Sequence, residues 1–305
     1  MDFRTIVPLP AAAPTVTPTS RALVLGSCFA EHIGSRLRYA LGTDAEGHER
    51  CCANPFGVLY NPASITQALR LLYGDETESR RIVERSIFEG RDALWHSWLY
   101  STHFSGSSRS ECLDRCLASL AEARRVAESA DLIIITFGTS RHYRLAEPTM
   151  AGCLDTRVVA NCHKEPASTF AECDMTTEEI IAEFAPLIDQ LRTRRPGLDL
   201  IFTVSPYRYR KYGYHESQLA KARLLLAVER LQATSSLNHY FPAYEILLDE
   251  LRDYRFYAPD MLHPSEQAIE YIWERFTEWC FTPATTQSYQ QRIKELKHNN
   301  HHANH

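Results

Sequence analysis

The feature that most constrains the fold is an apolar run at residues 22–25 that leads through Gly26 and Ser27 into a helical pattern. The run, Ala-Leu-Val-Leu, contains no polar residue, which is typical of a strand buried on both faces of a parallel sheet. Apolar residues then recur at helical spacing at Phe29, Ile33 and Leu37. Ser27 therefore lies where a buried strand passes into a helix. Its hydroxyl either caps that helix or faces a ligand crevice at the carboxyl end of the strand.

Buried strands and amphipathic helices alternate along the rest of the chain. An unbroken apolar and β-branched run at residues 132–137 and a second β-rich run at residues 198–204 predict two more inner strands, and residues 237–241 predict a short last one. Helical patterns occupy residues 61–73, 110–129, 176–195, 217–233, 242–253 and 265–279. Strands that alternate with helices need right-handed crossovers, which place helices on both faces of the sheet. We therefore expect a three-layer α/β/α sandwich with a central parallel sheet.

Two β-hairpin insertions are predicted beside this sheet. Residues 82–88 and 93–100 are rich in β-forming residues and are joined by Glu89-Gly90-Arg91-Asp92, a turn sequence. Residues 142–145 and 157–162 form a second pair around Gly152. We expect this second hairpin to lie over the strand ends, which would bring Asn161 and His163 close to the crevice.

A carboxylate and an imidazole stand three residues apart before the last helix, at Asp260 and His263. A serine hydroxyl is a poor nucleophile unless a base removes its proton, and a neutral imidazole can do so. A carboxylate on the other ring nitrogen fixes the tautomer and stabilises the imidazolium. Ser27, His263 and Asp260 therefore form a candidate triad. The alternative is structural: Asp260 caps the helix region, and His263-Pro264 is a rigid turn.

Composition predicts one large α/β domain over residues 1–305, with a core at about 20–282. Hydrophobic residues make up 44% and charged residues 23% of the chain, so a sizeable core is expected. The net charge of -5 gives no electrostatic reason to expect nucleic acid or an anionic membrane as a partner. The oligomeric state stays open.

The termini and the cysteines indicate a cytoplasmic protein without a metal or other cofactor. Four prolines interrupt residues 1–20, and no apolar run is long enough to span a bilayer. The nine cysteines form no C-x-x-C pair, which favours free thiols. Cys112 and Cys116 share a helix face, yet they lack the second pair of ligands that zinc needs. Residues 283–305 are expected to be a disordered tail, whose four histidines either bind metal weakly or only face water.

Five sequence blocks resemble the GSCFA family, which is itself similar to the SGNH (GDSL-type) hydrolases. Gly26-Ser27-Cys28-Phe29-Ala30 spells the signature that names the family. Asn54-Pro55-Phe56-Gly57, Phe137-Gly138-Thr139, Asn161-Cys162-His163-Lys164 and Tyr254-Arg255-Phe256-Tyr257 also look like blocks of it. The resemblance implies an SGNH-hydrolase-like, flavodoxin-like sandwich. It also implies that Ser27 is the nucleophile and that the late Asp-x-x-His block, Asp260 and His263, supplies the acid and the base.

The resemblance further implies an oxyanion hole, which in the superfamily is built from the nucleophile's own amide, a glycine and an asparagine. Ser27 supplies the first donor and Gly57 the second, with Gly138 competing for that role. The third block normally ends Gly-x-Asn, but here it reads Gly138-Thr139-Ser140. We nominate Asn161 to replace the missing asparagine, with Thr139 as a helper.

We expect Ser140, His163 and Lys164 to contact substrate, although His163 and Lys164 either bind an anionic group or simply face water. Tyr207, Tyr209, Tyr212 and Tyr214 either stack on sugar rings or seal the edge of the core. A thiol nucleophile at Cys28 is disfavoured because the next residue points elsewhere on a helix.

The expected activity is that of a serine esterase or deacylase. It would remove a small acyl group from a small-molecule or carbohydrate ester substrate. The alternative is a catalytically silent carbohydrate-binding or scaffold protein that keeps the fold.

Overall fold

The computed structural model describes residues 4–146 and 158–303, with side chains up to residue 296. The described strands are β1 (Ala22–Gly26), β2 (Cys51–Ala53), β3 (Ile87–Glu89), β4 (Trp95–Ser97), β5 (Leu132–Phe137), β6 (Arg141–Leu145), β7 (Val158–Val159), β8 (Phe170–Asp174), β9 (Asp199–Val204) and β10 (Asn238–Tyr240). The described α-helices are α1 (Cys28–Leu41), α2 (Pro62–Tyr73), α3 (Glu76–Arg85), α4 (Arg109–Ser129), α5 (Thr177–Arg194), α6 (Tyr214–Gln232), α7 (Ala243–Glu245), α8 (Glu266–Cys280) and α9 (Pro283–Ala303). A π-helical stretch, Ile246–Leu251, continues α7.

Five parallel strands form the central sheet in the order β10-β9-β5-β1-β2. Side chains alternate between its faces: Leu23 and Ile133 pack against α2, α4, α5 and α6, whereas Val24 and Ile134 pack against α1, α8 and the π-helical stretch. The predicted three-layer α/β/α sandwich with a parallel sheet is therefore confirmed.

The strand order changes its direction of winding at the carboxyl end of β1. The chain goes from β1 to β2 on one side and then crosses to β5 on the other side. In sheet order this is the doubly wound 2-1-3-4-5 arrangement of flavodoxin-like folds, which bind ligands where the direction of winding changes. Ser27 directly follows β1 and Gly138 directly follows β5, so both residues lie at this point.

Local signals in the sequence set the starts of the helices. Asn61 Oδ1 accepts the Ser64 N–H at 2.8 Å and opens α2, as Asn61-Pro62 predicts. A capping box between Thr176 and Glu179 opens α5. These helices begin within a residue or two of their predicted positions.

The first insertion contains a helix that the sequence pattern hides. Residues 82–85, expected in a strand, belong to α3, which Asp75 caps by accepting the Glu78 N–H at 2.9 Å. Ile82 and Val83 are consecutive buried residues on the inner face of this helix, and so short an apolar run resembles a strand. The predicted hairpin is present in shorter form as β3 paired with β4.

The second insertion has three antiparallel strands in the order β7-β6-β8. The pairing of residues 142–145 with the run that begins near residue 157 is confirmed for β6 and β7, whereas β8 was not predicted. Every residue of β8 is at least partly exposed, so its sequence carries little apolar periodicity. The turn around Gly152, together with Cys153 and Arg157, lies outside the described residues.

Residues 283–303 form α9 where the sequence predicted a disordered tail. Thr285 Oγ1 donates to the Val16 carbonyl at 2.7 Å, and the Trp273 indole N–H donates to the Tyr289 hydroxyl at 3.1 Å. The Tyr289 ring also packs against Tyr39 and Phe281. The half-buried Tyr289 and the buried Thr285 thus hold a helix that is otherwise polar, and composition alone does not reveal it. The histidine side chains of the tail lie outside the described residues.

Within residues 4–146 and 158–303, no helix is both long enough and apolar enough to cross a membrane.

Replacing Tyr289 by alanine should lower the free energy of unfolding by about 1–3 kcal/mol, because it removes aromatic packing and leaves the Trp273 N–H without its partner. Urea unfolding followed by circular dichroism measures this loss. The control is Leu296→Ala, since Leu296 is exposed in the same helix and should change stability by less than about 0.5 kcal/mol. Equal unfolding midpoints for both variants would mean that α9 is not docked.

Candidate functional site

Ser27 stands at the start of α1 with its hydroxyl unused. It is the residue before the helix, with extended backbone angles, yet its side chain makes no capping hydrogen bond. The side chain is 1% exposed, and its Oγ has no hydrogen-bond partner among the described residues. The capping alternative is therefore not realised. A buried hydroxyl without a partner costs free energy, which makes Ser27 an unusual position that needs an explanation.

The backbone before Ser27 is fixed by a close approach that only glycine allows. Gly26 has φ +145°, and a Cβ there would lie 2.3 Å from the Thr136 carbonyl oxygen on β5. Asn54 Oδ1 accepts the Gly26 N–H at 2.9 Å, and its Nδ2 donates to Glu31 at 3.1 Å. Sequence reasoning gave Asn54 no role of its own. Its side chain ties β1 and α1 to the loop after β2.

Gly138 lies directly against Ser27. A Cβ at Gly138 would be 3.5 Å from the Ser27 Cβ and 2.9 Å from the Tyr60 carbonyl oxygen. The N–H groups of Gly138 and Thr139 both donate to this Tyr60 oxygen, at 2.8 and 2.9 Å. The two strand ends and the residue before α2 thus converge on one point.

The predicted backbone donors of the oxyanion hole are all engaged in this conformation. Gly138 and Thr139 bind the Tyr60 carbonyl, the Gly57 N–H donates to the Asn54 carbonyl at 2.7 Å, and the Ser27 N–H reaches the Thr136 carbonyl at 3.2 Å. Buried backbone donors at strand ends need partners, and here the backbone itself supplies them. None of these four N–H groups is free to face an oxyanion in this conformation, and the oxyanion hole stays a prediction.

Asp260 and His263 form a tight pair on the loop before α8. His263 Nδ1 lies 2.5 Å from Asp260 Oδ2. Asp260 Oδ1 accepts the N–H groups of His263 at 3.0 Å and Leu262 at 2.9 Å. The backbone N–H and the ring of His263, together with the Leu262 N–H, lower the pKa of Asp260 to about 2. The carboxylate is therefore ionised at neutral pH, and Nε2 is the His263 nitrogen that does not face Asp260.

This loop lies beside the first turns of α1. Burial raises the pKa of the Cys28 thiol, and the Asp260 carboxylate adds to that rise. Burial lowers the pKa of His32, and His263 contributes in the same direction. The predicted Ser27–His263 hydrogen bond is nevertheless not formed, since Ser27 Oγ has no partner. Such bonds are often long in a site without substrate and shorten in the complex.

None of the described contacts joins Asn161, His163 or Ser140 to Ser27. Each of them is bonded to another residue. Asn161 Oδ1 accepts the His163 N–H at 2.8 Å, which is a local turn. His163 Nε2 lies 2.8 Å from the Ser97 carbonyl, and burial lowers the pKa of His163 to about 4. The buried Ser140 hydroxyl donates to Asp174 at 2.5 Å. Because the imidazole of His163 is buried and neutral, it cannot attract an anion. Of the three residues predicted to contact substrate, only Lys164 is exposed.

Tyrosines form one wall of the site. The Tyr207 ring lies 4.4 Å from the His263 ring and 5.2 Å from Tyr209, whose ring is 6.3 Å from Tyr60. Burial raises the pKa of Tyr60 to about 12, so its hydroxyl is neutral. Tyr207 and Tyr209 are half-buried, which fits both alternatives for these tyrosines, since rings in this position seal the core edge and still present a face to a ligand.

Lys221 is the charged residue that sequence reasoning missed. It is 2% exposed, and its Nζ donates to the carbonyls of Gly138 at 2.7 Å and Ser205 at 2.6 Å. Burial lowers its pKa to about 7. Lys221 interrupts the apolar stripe of α6 formed by Ala220, Leu224 and Leu231. That interruption of the helical period was the available signal.

In the wild-type protein the free energy of unfolding should rise with pH above about pH 7, and replacing Lys221 by methionine should remove this rise. Between the folded pKa of about 7 and the unfolded value of 10.5, the folded chain has released this proton while the unfolded chain keeps it. The unfolded state then binds more protons, so stability rises with pH by at most about 1.4 kcal/mol per unit. Urea unfolding at pH 7 to 9.5 measures the difference between wild type and Lys221→Met. Parallel stability curves would show that Lys221 does not titrate in this range.

Among the described residues, no group of three or more histidine, cysteine or acidic side chains is arranged to hold a metal ion. The cysteines Cys28, Cys51, Cys52, Cys112, Cys116, Cys162, Cys173 and Cys280 are free thiols.

Comparison with known proteins identifies the family. No curated protein matches the chain. The model of the GSCFA family matches residues 21–276, a range that begins just before β1, ends within α8 and includes Ser27, Asp260 and His263. Since this match covers most of the sequence, the chain belongs to the GSCFA family.

Proposed function

We propose that this protein is a serine hydrolase of the SGNH (GDSL) type that removes a small acyl group from a carbohydrate-like or metabolite alcohol. The observation that carries the proposal is the Asp260–His263 pair, held at 2.5 Å beside the helix that begins after Ser27. Ser27 adds a buried hydroxyl without a partner at the winding switch of the sheet. A cytoplasmic location belongs to the same proposal.

The roles follow from the chemistry of the groups. His263 Nε2 accepts the Ser27 proton while Oγ attacks the ester carbonyl, and the alcohol leaves with that proton. Water then gives a proton to His263 Nε2 and attacks the acyl carbon, and Ser27 Oγ leaves with that proton, which frees the acid. Asp260 stays ionised throughout, because its low pKa keeps it a carboxylate, and it stabilises the imidazolium.

Two features support the stabilisation of an oxyanion once substrate is bound. The amino end of α1 carries a partial positive charge, and Ser27 sits at that end. The Gly138 and Thr139 N–H groups converge on one oxygen, that of Tyr60, as donors converge on an oxyanion. We expect a shift of the Tyr60 carbonyl to release these donors.

The second candidate function, a silent binding or scaffold protein, is favoured by the same engaged donors. A site in which Ser27 Oγ is buried and every nominated backbone N–H group has a partner is also what a protein without turnover would show. Burst kinetics separate the two functions, because only the hydrolase forms an acyl-serine.

Wild-type protein mixed with p-nitrophenyl acetate should release a burst of nitrophenol close to one equivalent per chain, and Ser27→Ala should abolish it. Stopped-flow absorbance measures the amplitude. Cys28→Ala is the matched control, because Cys28 is the neighbouring nucleophile, and we expect its burst to stay at wild-type amplitude. A burst that survives in Ser27→Ala and disappears in Cys28→Ala would transfer the role to the thiol.

His263→Ala should lower kcat/KM by about two to four orders of magnitude and remove the rise of kcat/KM on the acid side of the pH profile. An imidazole must be neutral to accept the serine proton, and acid protonates it. Ester hydrolysis from pH 5 to 8 tests this. The exposed His103 serves as control, since His103→Ala should leave the profile unchanged. A His263→Ala enzyme with the wild-type profile would exclude His263 as the base.

A further inference from the structure

We propose that Lys221 is the positioning residue of the Ser27 site: it joins the carboxyl ends of β5 and β9 and places a positive charge on the carbonyl of Gly138, the residue that lies against Ser27. The effect of Lys221 on catalysis rests on the proposed hydrolase function, whereas its role in holding the strand ends does not.

Lys221 acts on Ser27 through Gly138. Its Nζ lies 2.7 Å from the Gly138 carbonyl and 2.6 Å from the Ser205 carbonyl, which follow β5 and β9 directly. Gly138 is the residue whose Cα faces the Ser27 side chain, with an added Cβ only 3.5 Å from the Ser27 Cβ. One ammonium group therefore fixes the two strand ends that form the floor of the crevice. The Thr139 N–H belongs to the same peptide unit as the Gly138 carbonyl, so polarisation of that carbonyl also strengthens a nominated oxyanion donor.

The charge of Lys221 is buried without a carboxylate partner among the described ion pairs. The titratable and charged groups around it are Cys28 on α1, Tyr207 and Arg208 after β9, and Tyr244 on α7, whose ring lies 5.6 Å from Nζ. A cavity of about 50 Å³ lies between Lys221, Tyr207 and Tyr244. None of these neighbours is an anion at neutral pH, since burial raises the pKa of Cys28, Tyr207 and Tyr244.

An ammonium group buried without a counterion costs free energy unless a negative charge comes close to it. Its favourable counterpart at this site is a negative charge that appears only during reaction, on the carbonyl oxygen of the substrate. The pH profile of kcat should therefore have an alkaline limb in addition to the acid limb. Since Lys221 loses its proton at about pH 7, kcat should fall on the alkaline side as the charge disappears.

The test compares full-length wild type with Lys221→Met, Lys221→Arg and the control Lys294→Met, whose lysine is exposed on α9. Methionine should lower kcat on p-nitrophenyl acetate roughly 10- to 100-fold, with KM within about twofold, and should abolish the alkaline limb. Arginine keeps its charge at high pH, so it should restore kcat in part and move the alkaline limb above pH 9. Lys294→Met should match wild type. Wild-type kcat and an unchanged alkaline limb in Lys221→Met would overturn the proposal.

Hydrogen exchange of the Gly138 and Thr139 amides, measured by NMR, tests without any substrate whether Lys221 holds the end of β5 in place. These amides should exchange at least tenfold faster in Lys221→Met than in Lys294→Met. Equal rates would overturn the positioning role. If Ser27→Ala hydrolyses ester as fast as wild type, the proposed function fails, and the exchange rates still decide the role of Lys221.

If Lys221→Met does not fold, Lys221→Gln takes its place, since glutamine keeps a donor without the charge. A lowered kcat without the alkaline limb supports the proposal, and wild-type kcat with an unchanged limb overturns it.

Discussion

The contact between Gly26 and the Thr136 carbonyl is the constraint on which the rest of the site depends. Two central parallel strands come so close at their carboxyl ends that a Cβ at Gly26 would lie 2.3 Å from that oxygen. Any other residue would push β1 away from β5 and move the start of α1 with it. The positive φ of Gly26 then turns the chain so that Ser27 begins the helix. Replacing Gly26 would therefore shift both Ser27 and its neighbour Gly138.

The site contains one pair of residues that satisfy each other and two groups that lack a full complement of partners. Asp260 and His263 are held together by a short hydrogen bond and by two backbone N–H groups, which need no substrate. On the other side, Ser27 Oγ has no partner and Lys221 carries a charge without a counterion among the described residues. A buried hydroxyl without a partner and a buried ammonium without a counterion are both expensive in a dry interior. On the proposed function, a bound ester would give the Ser27 hydroxyl its reaction partner.

The sequence predicted the inner sheet and its helices because each inner strand is buried on both faces and each helix begins at a recognisable cap, such as Asn61 or Thr176. It failed where periodicity was weak or short. Ile82 and Val83 resemble a strand although they lie in α3, the strand β8 is partly exposed throughout, and α9 depends on the single ring of Tyr289. For the site, motif spacing indicated Asp260 with His263, whose pairing is local. It did not indicate the partners of Ser140 and Lys221, because these come from distant segments, nor that Asn161 bonds the nearby His163 instead of facing Ser27.

The central claim is that Ser27 is a nucleophile with a base within reach, and covalent labelling tests it most directly. A fluorophosphonate is attacked at phosphorus by an activated serine and loses fluoride, which leaves a stable phosphonyl adduct. Peptide mass spectrometry of the labelled wild-type protein should place one adduct on Ser27, and His263→Ala should abolish it. An unlabelled wild-type protein, or an adduct that persists in Ser27→Ala, would contradict the account.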